Sequence, residues 1–152
     1  MRLDVLIALG MASALALGGS ALAQQPAPPP APAADYGPPI TNEQAKTVAA
    51  AALAEAKKNN SPMAFAIVGP AGELVYLEKM DGTQLASVEI AQGKARTAVL
   101  FRRPSKVFAD QYAAGNRAFT TFPEKPVASE GGVPIIVNGK IIGAIGASGG
   151  GD

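Results

Sequence analysis

Hydrophobic positions recur at helical spacing from Ala45 through Val48, Ala49, Ala52 and Leu53 to Ala56, which predicts a helix with one buried face. Thr41 and Gln44 form a capping-box pattern at its start. Lys57 and Lys58 suit its negative end, and Asn59-Asn60-Ser61-Pro62 stops it. Residues 63–68 are a short apolar run, read as a buried strand. The turn Gly69-Pro70-Ala71-Gly72 leads into a second strand over 74–80, with Val75, Leu77 and Lys79 facing away from Leu74, Tyr76 and Glu78. Asp81-Gly82 breaks that strand, and Asp81 is placed to cap the next helix. This second helical period covers 84–101, with Leu85, Val88, Ala91, Ala95, Ala98 and Val99 on one face and Arg102-Arg103-Pro104 at its end.

Ser105 is placed to cap a short helix over 106–114, closed by Gly115. Residues 116–129 carry Pro123 and Pro126 and no clear period, so they read as an ordered surface loop. The pattern closes on a hairpin: a strand over 133–137, the turn Asn138-Gly139, and a returning strand over 140–148. Gly143 and Gly146 weaken the last strand but let another backbone or a flat ligand come close. Helix, hairpin, helix, helix, hairpin predicts an α+β domain, an antiparallel sheet of about four to five strands with helices packed on it.

Before Thr41 the pattern changes. Met1-Arg2 precedes an apolar run over 5–18, and Ala21 and Ala23 fit an A-x-A cleavage site before Gln24. Residues 1–23 are therefore expected to be a cleaved signal peptide, although Asp4 weakens the positive start. The expected destination is the periplasm or the exterior, with no membrane insertion after cleavage. Residues 24–40 are rich in proline and alanine and read as a semi-rigid tether. The domain is assigned to 41–149, with 150–152 a flexible end.

Composition narrows the chemistry. The 152 residues are 48% hydrophobic and 16% charged, enough for one core. A net charge of +1 gives no field to hold nucleic acid. There is no Cys, which removes disulfides, thiolate nucleophiles and iron–sulfur clusters. There is no His either, which removes the usual general base, the commonest metal ligand and Ser–His–Asp machinery.

A series of segments carries a family resemblance: Glu78-Lys79-Met80-Asp81-Gly82, Ala86-Ser87-Val88-Glu89-Ile90-Ala91, Lys94-Ala95-Arg96-Thr97-Ala98, Arg103-Pro104-Ser105, Gly131-Gly132-Val133-Pro134-Ile135, and the run from Ile142 to Gly149. In this order they resemble the GlcG/HbpS family of haem-binding and haem-degrading proteins, which is itself similar to the C-terminal domain of some cobalamin adenosyltransferases. The resemblance implies a profilin-like fold, a tendency to form homo-oligomers, and haem or a related tetrapyrrole as ligand in some members. The family's first hairpin turn commonly reads Asp-Ala-Gly-Gly, where this chain has Gly69-Pro70-Ala71-Gly72. Members usually continue past the Ser-Gly with an acidic stretch and a final helix, where this chain has Gly150, Gly151 and Asp152. Lack of that helix is expected to expose part of the sheet or an assembly surface.

Haem calls for an apolar slot, cations for its propionates and, in many proteins, an axial ligand. Met80 and Thr97 are the candidate metal ligands, with Tyr76 and Tyr112 as further oxygen donors. Lys94 and Arg96 are candidate anchors for carboxylates, or else partners of Glu89, Glu78 or Asp81. Asp81 is a candidate ligand contact as well as a cap. Gly131 and Gly132 could present backbone N–H groups to an anion, or simply form a turn. No catalytic residue is assigned. Three functions are compatible with these residues: an exported haem- or tetrapyrrole-binding protein that scavenges, stores or senses; an enzyme or accessory protein for a small carboxylated or aromatic metabolite; or a multimeric partner of a membrane sensor.

Overall fold

A computed structural model describes residues 33–149 of the chain. The expected signal peptide, the first part of the tether and the final three residues lie outside the described residues. Within them the elements run β1 (Asp35–Tyr36), α1 (Asn42–Lys58), β2 (Met63–Val68), β3 (Leu74–Lys79), α2 (Ser87–Leu100), α3 (Lys106–Ala113), a 3-10 turn (Ala118–Thr121), β4 (Gly132–Val137) and β5 (Lys140–Gly149). The α+β class holds, with five strands in one sheet.

β5 is the hub of that sheet. It pairs antiparallel with β2 on one edge and with β4 on the other, and β3 extends the sheet beyond β2. β1 pairs parallel with Lys140 and Ile141, the part of β5 that β2 does not reach. The tether assigned through residue 40 therefore ends earlier. Tyr36 donates its hydroxyl to the Val99 carbonyl at 2.9 Å, and the Ile40 amide donates to the Ile142 carbonyl at 2.8 Å. Ile40 is buried among Ala45, Ala49, Ile67 and Ile142. Proline richness masked this, because the anchoring residues are single and spaced between prolines.

Helices cover both faces. α1 begins at a complete capping box, with Thr41 Oγ1 accepting from the Gln44 amide and the Gln44 side chain accepting from the Thr41 amide. It lays Ala45 and Ala49 over Ile67. α2 covers the other face, where Ala91, Ala95, Ala98 and Val99 meet Ala64, Ala66, Val68, Ile141 and Ala144. Two irregularities adjust the facing. A bulge opposite Ile67 and Val68 turns both Val75 and Tyr76 toward the α1 side, so the strict alternation expected for β3 fails there. α2 starts at Ser87, three residues later than expected, which leaves Leu85 outside the helix and 86% exposed.

The closing hairpin forms as expected. Asn138 and Gly139 both take positive φ, 50° and 74°, the two-residue turn that matches strand twist. Loop 116–129 is held by rings: Phe108 stands edge-on to Phe101 at 4.9 Å and to Phe119 at 5.5 Å, and Phe122 stacks on Phe101 at 6.2 Å.

Helix α2 lies close against the sheet at two glycines. Gly132 and Gly146 are direct partners across β4 and β5. A Cβ on Gly146 would overlap the Ala91 carbonyl, and one on Gly132 would overlap the Lys94 carbonyl. α2 thus lies with its backbone against a side-chain-free patch of sheet. Gly146→Ala is expected to destabilise the domain by about 3 kcal/mol through overpacking, read by urea denaturation. The same change at Gly139, whose surroundings are open, carries only the smaller cost of its positive φ, about 1 kcal/mol.

Candidate functional site

The start of β2, the end of β5, the loop before β4 and the start of α3 converge on a cleft of about 650 Å³. Its floor is the side chain of Lys94 from the middle of α2, beside Gly131, Gly132 and Ala147. Lys106 and Glu130 supply charges at its walls, and Met63 and Val133 supply apolar surface.

Lys94 is the one charged residue in the core among the described residues, at 8% exposure. Its Nζ donates to the Ala147 carbonyl at 3.1 Å, and none of the ion pairs among the described residues includes it. Burial pushes its pKa down, and the charge of Glu130 opposes that only in part. Gly131, at φ +113°, keeps room for it: a Cβ there would sit 3.3 Å from Nζ and would overlap the Ala147 carbonyl. Lys106 behaves oppositely. Its Nζ meets Asp110 Oδ1 at 2.6 Å, and that hydrogen bond and charge raise its pKa.

Ser105 holds the cleft's loop in place. Its hydroxyl donates to the Ser129 carbonyl at 2.6 Å and accepts from the Gly132 amide at 2.9 Å, while its own amide donates to the Gly132 carbonyl. Its side chain therefore ties α3 to β4 and does not cap α3, which has no side-chain cap. Losing the hydroxyl would strand two polar groups at a buried position, a cost of about 1–3 kcal/mol.

The other sequence candidates go elsewhere. Arg96 points away from the cleft, bonding the Gly72 carbonyl at 3.0 Å and Glu124 at 3.1 Å. Two positions along a helix are about 200° apart, so Lys94 and Arg96 cannot grip one ligand together. Thr97 is buried, donating to the Gly93 carbonyl and accepting from the Val127 amide, both at 2.8 Å; its oxygen is committed to structure. Met80 is half-buried past the end of β3 and does not line the cleft. Asp81 is exposed and gives no cap, because α2 starts after Ala86 without a side-chain cap. The Gly132 amide is taken by Ser105, leaving Gly131 at the cleft as room for Lys94. Tyr76 donates to Glu78, which raises its pKa, and Tyr112 stacks under Arg117.

Sequence reasoning missed Met63, Lys106 and Glu130 as cleft residues, and Ser105 as the tie that holds the loop beside them. Met63 reads as the first residue of a buried strand, and Lys106 as the first residue of a short helix. Only the convergence of four distant segments brings them together.

The chain belongs to the HbpS-like family, described as haem degrading protein HbpS-like, whose model matches residues 40–152. GlcG of Escherichia coli K12 is 40% identical over 109 residues, covering 72% of this chain and 81% of GlcG. Among solved structures, Klebsiella pneumoniae protein ORFY superposes with a TM-score of 0.69 at 27% identity, over 76% of this chain and 82% of its own. The PduOC–haem complex does so with a TM-score of 0.67 at 26% identity, over 74% and 84%.

The state of Lys94 is testable through pH. A lysine whose pKa is lower folded than unfolded binds more protons when unfolded, so stability rises as pH climbs from its folded pKa toward 10.5. Lys94→Met keeps the stem and removes the titration. Urea denaturation of both proteins at about pH 7 and about pH 10 is expected to show the native chain gaining stability relative to the variant at the higher pH.

Proposed function

We propose that this protein binds haem or a related tetrapyrrole in the cleft over Lys94. The observation that carries the reading is a buried cation on the floor of a 650 Å³ cleft, in a chain of the HbpS-like family. That volume is within the range of roughly 300–1,000 Å³ usual for small-molecule sites. The PduOC structure was solved with haem, which supports the same ligand class.

The residues fit the macrocycle better than its iron. Usual axial ligands are His, Cys, Met and Tyr. The chain has no His or Cys, and the thioether of Met63 is the one soft donor lining the cleft. Lys94 and Lys106 offer ammonium groups to propionates, with Lys106 already sharing its charge with Asp110. The site is therefore read as a grip on the ligand's carboxylates and apolar body, with no step routed through the metal.

Adding haem to the purified protein is expected to shift the Soret band at stoichiometric ratio; no shift overturns the reading. Metal-free protoporphyrin is expected to bind within about tenfold of haem, or 1.4 kcal/mol, and Lys94→Met is expected to weaken both.

On the same reading residues 1–23 direct export, and the protein scavenges, stores or senses its ligand beyond the cytoplasm. Assembly into a homo-oligomer is supported by the open edge of β4, where Val133, Ile136 and Val137 are 49%, 54% and 43% exposed. A membrane sensor would be a partner of that assembly. Native mass spectrometry of the exported fraction is expected to show a chain starting at Gln24, in a multimer, with ligand attached. A full-length monomer would remove the export and assembly readings together.

A further inference from the structure

Lys94 is costly where it sits. Buried lysines are normally paired with a carboxylate, because an ammonium loses its hydration on burial. Lys46, Lys58 and Lys106 are each paired with an acid in this structure. Lys94 has a single main-chain carbonyl partner, Ala147, and faces a solvent-connected cleft. A structural strap between α2 and the end of β5 needs only one neutral donor. An amine with reserve hydrogen-bonding capacity, desolvated at the floor of an accessible cleft, is instead the arrangement that makes lysine a nucleophile.

We propose that Lys94 captures small aldehydes as a reversible imine, an activity distinct from the tetrapyrrole reading and independent of it. The neutral Nζ bonds to the aldehyde carbon as the C=O π pair moves to oxygen, and a proton passes from nitrogen to that oxygen, giving a carbinolamine. The C–O bond then breaks, the second Nζ proton leaves with the oxygen as water, and the nitrogen pair closes the C=N bond. Amine and aldehyde become imine and water, with no oxidant or reductant. Glu130, a carboxylate lining the same cleft, is the group available to carry protons.

The geometry favours an aldehyde over a ketone. The Gly131 side of Nζ is closed, because even a single carbon in place of the side chain that Gly131 lacks would overlap the Ala147 carbonyl, so a carbonyl compound reaches the amine from the open cleft. An amine hemmed in on one side takes the less crowded carbonyl, one whose carbon bears a hydrogen and a single substituent. The lowered pKa of Lys94 adds to this by enlarging its neutral fraction relative to the exposed lysines.

The test uses the whole protein, with acetaldehyde as probe and cyanoborohydride to trap the imine, followed by peptide mass spectrometry. Lys94 is expected to be ethylated at least about tenfold faster than Lys46 or Lys106 near neutral pH, and acetone is expected to leave it unmodified. Lys58→Met, on the exposed face of α1, is expected to keep the labelling. Labelling of Lys94 no faster than the exposed lysines overturns the proposal. Rapid labelling by acetone as well overturns its restriction to aldehydes. Because the decisive comparison is made within the native chain, it needs no variant to fold. Added haem separates the two readings: it is expected to shield Lys94 if the cleft takes a tetrapyrrole, whereas labelling that proceeds unchanged in its presence rejects the tetrapyrrole at this site and keeps the aldehyde.

Discussion

The contact of α2 with the paired glycines Gly132 and Gly146 sets the rest of the domain. Because neither glycine has a side chain, the helix settles with its Ala91 and Lys94 carbonyls against the strands themselves. So close an approach favours small residues along the contact, and α2 supplies Ala91, Ala95 and Ala98. The volume removed from the interface is what lets a 14-residue helix cover strands from β2 to β4. A conventional layer of leucine and isoleucine would hold the helix farther out, and the Lys94 side chain would then reach solvent rather than the Ala147 carbonyl.

That same contact explains why α2 gives the site one cation and not two. With α2 pinned along Ala91, Ala95 and Ala98, its rotation about its own axis is fixed. Lys94 falls toward the end of β5, and Arg96 falls on the side of the Gly69–Gly72 turn, where it ties that turn to Glu124. Thr97, one residue farther, is spent on fixing Val127 of the long loop. The Lys-Ala-Arg-Thr segment thus divides its polar groups among the cleft, the first hairpin and the loop, and only its first member can act on a ligand.

Local elements were legible in the sequence because local rules produce them. The capping box at Thr41, the strand over 63–68 and the Asn138-Gly139 turn depend on residues within a few positions of one another. The errors share the opposite property. Leu85 fits the helical period but precedes the helix, because the turn after β3 consumes it. Ile40 looks like tether until β5 is placed beside it. Ser105 looks like a cap, yet its hydroxyl finds a stronger pair of partners in a loop 24 and 27 residues away. Of the site, Lys94 and Gly131 could be named in advance as a charge in an apolar helix and a glycine before a strand. Met63 and Glu130 could not, since the register of β2 on β5 brings the first to the cleft and the pairing of β4 with β5 brings the second.

A buried lysine without a counter-ion can be stabilised in two ways, and they pull in opposite directions. An anionic ligand supplies the missing charge and draws the ammonium form into the cleft, so the pKa of Lys94 rises on binding. A carbonyl ligand consumes the neutral amine, so capture draws the equilibrium toward deprotonation. The protein alone, with Glu130 near but not bonded, leaves Lys94 between these states, its pKa lowered by burial and only partly restored. By linkage, carboxylate binding is strengthened as pH falls through the folded pKa, and imine formation is strengthened as pH rises toward it. On the two proposed readings, one side chain, held in place by two glycines and a main-chain carbonyl, would let pH select between an anionic and a carbonyl ligand in a cleft without histidine or cysteine.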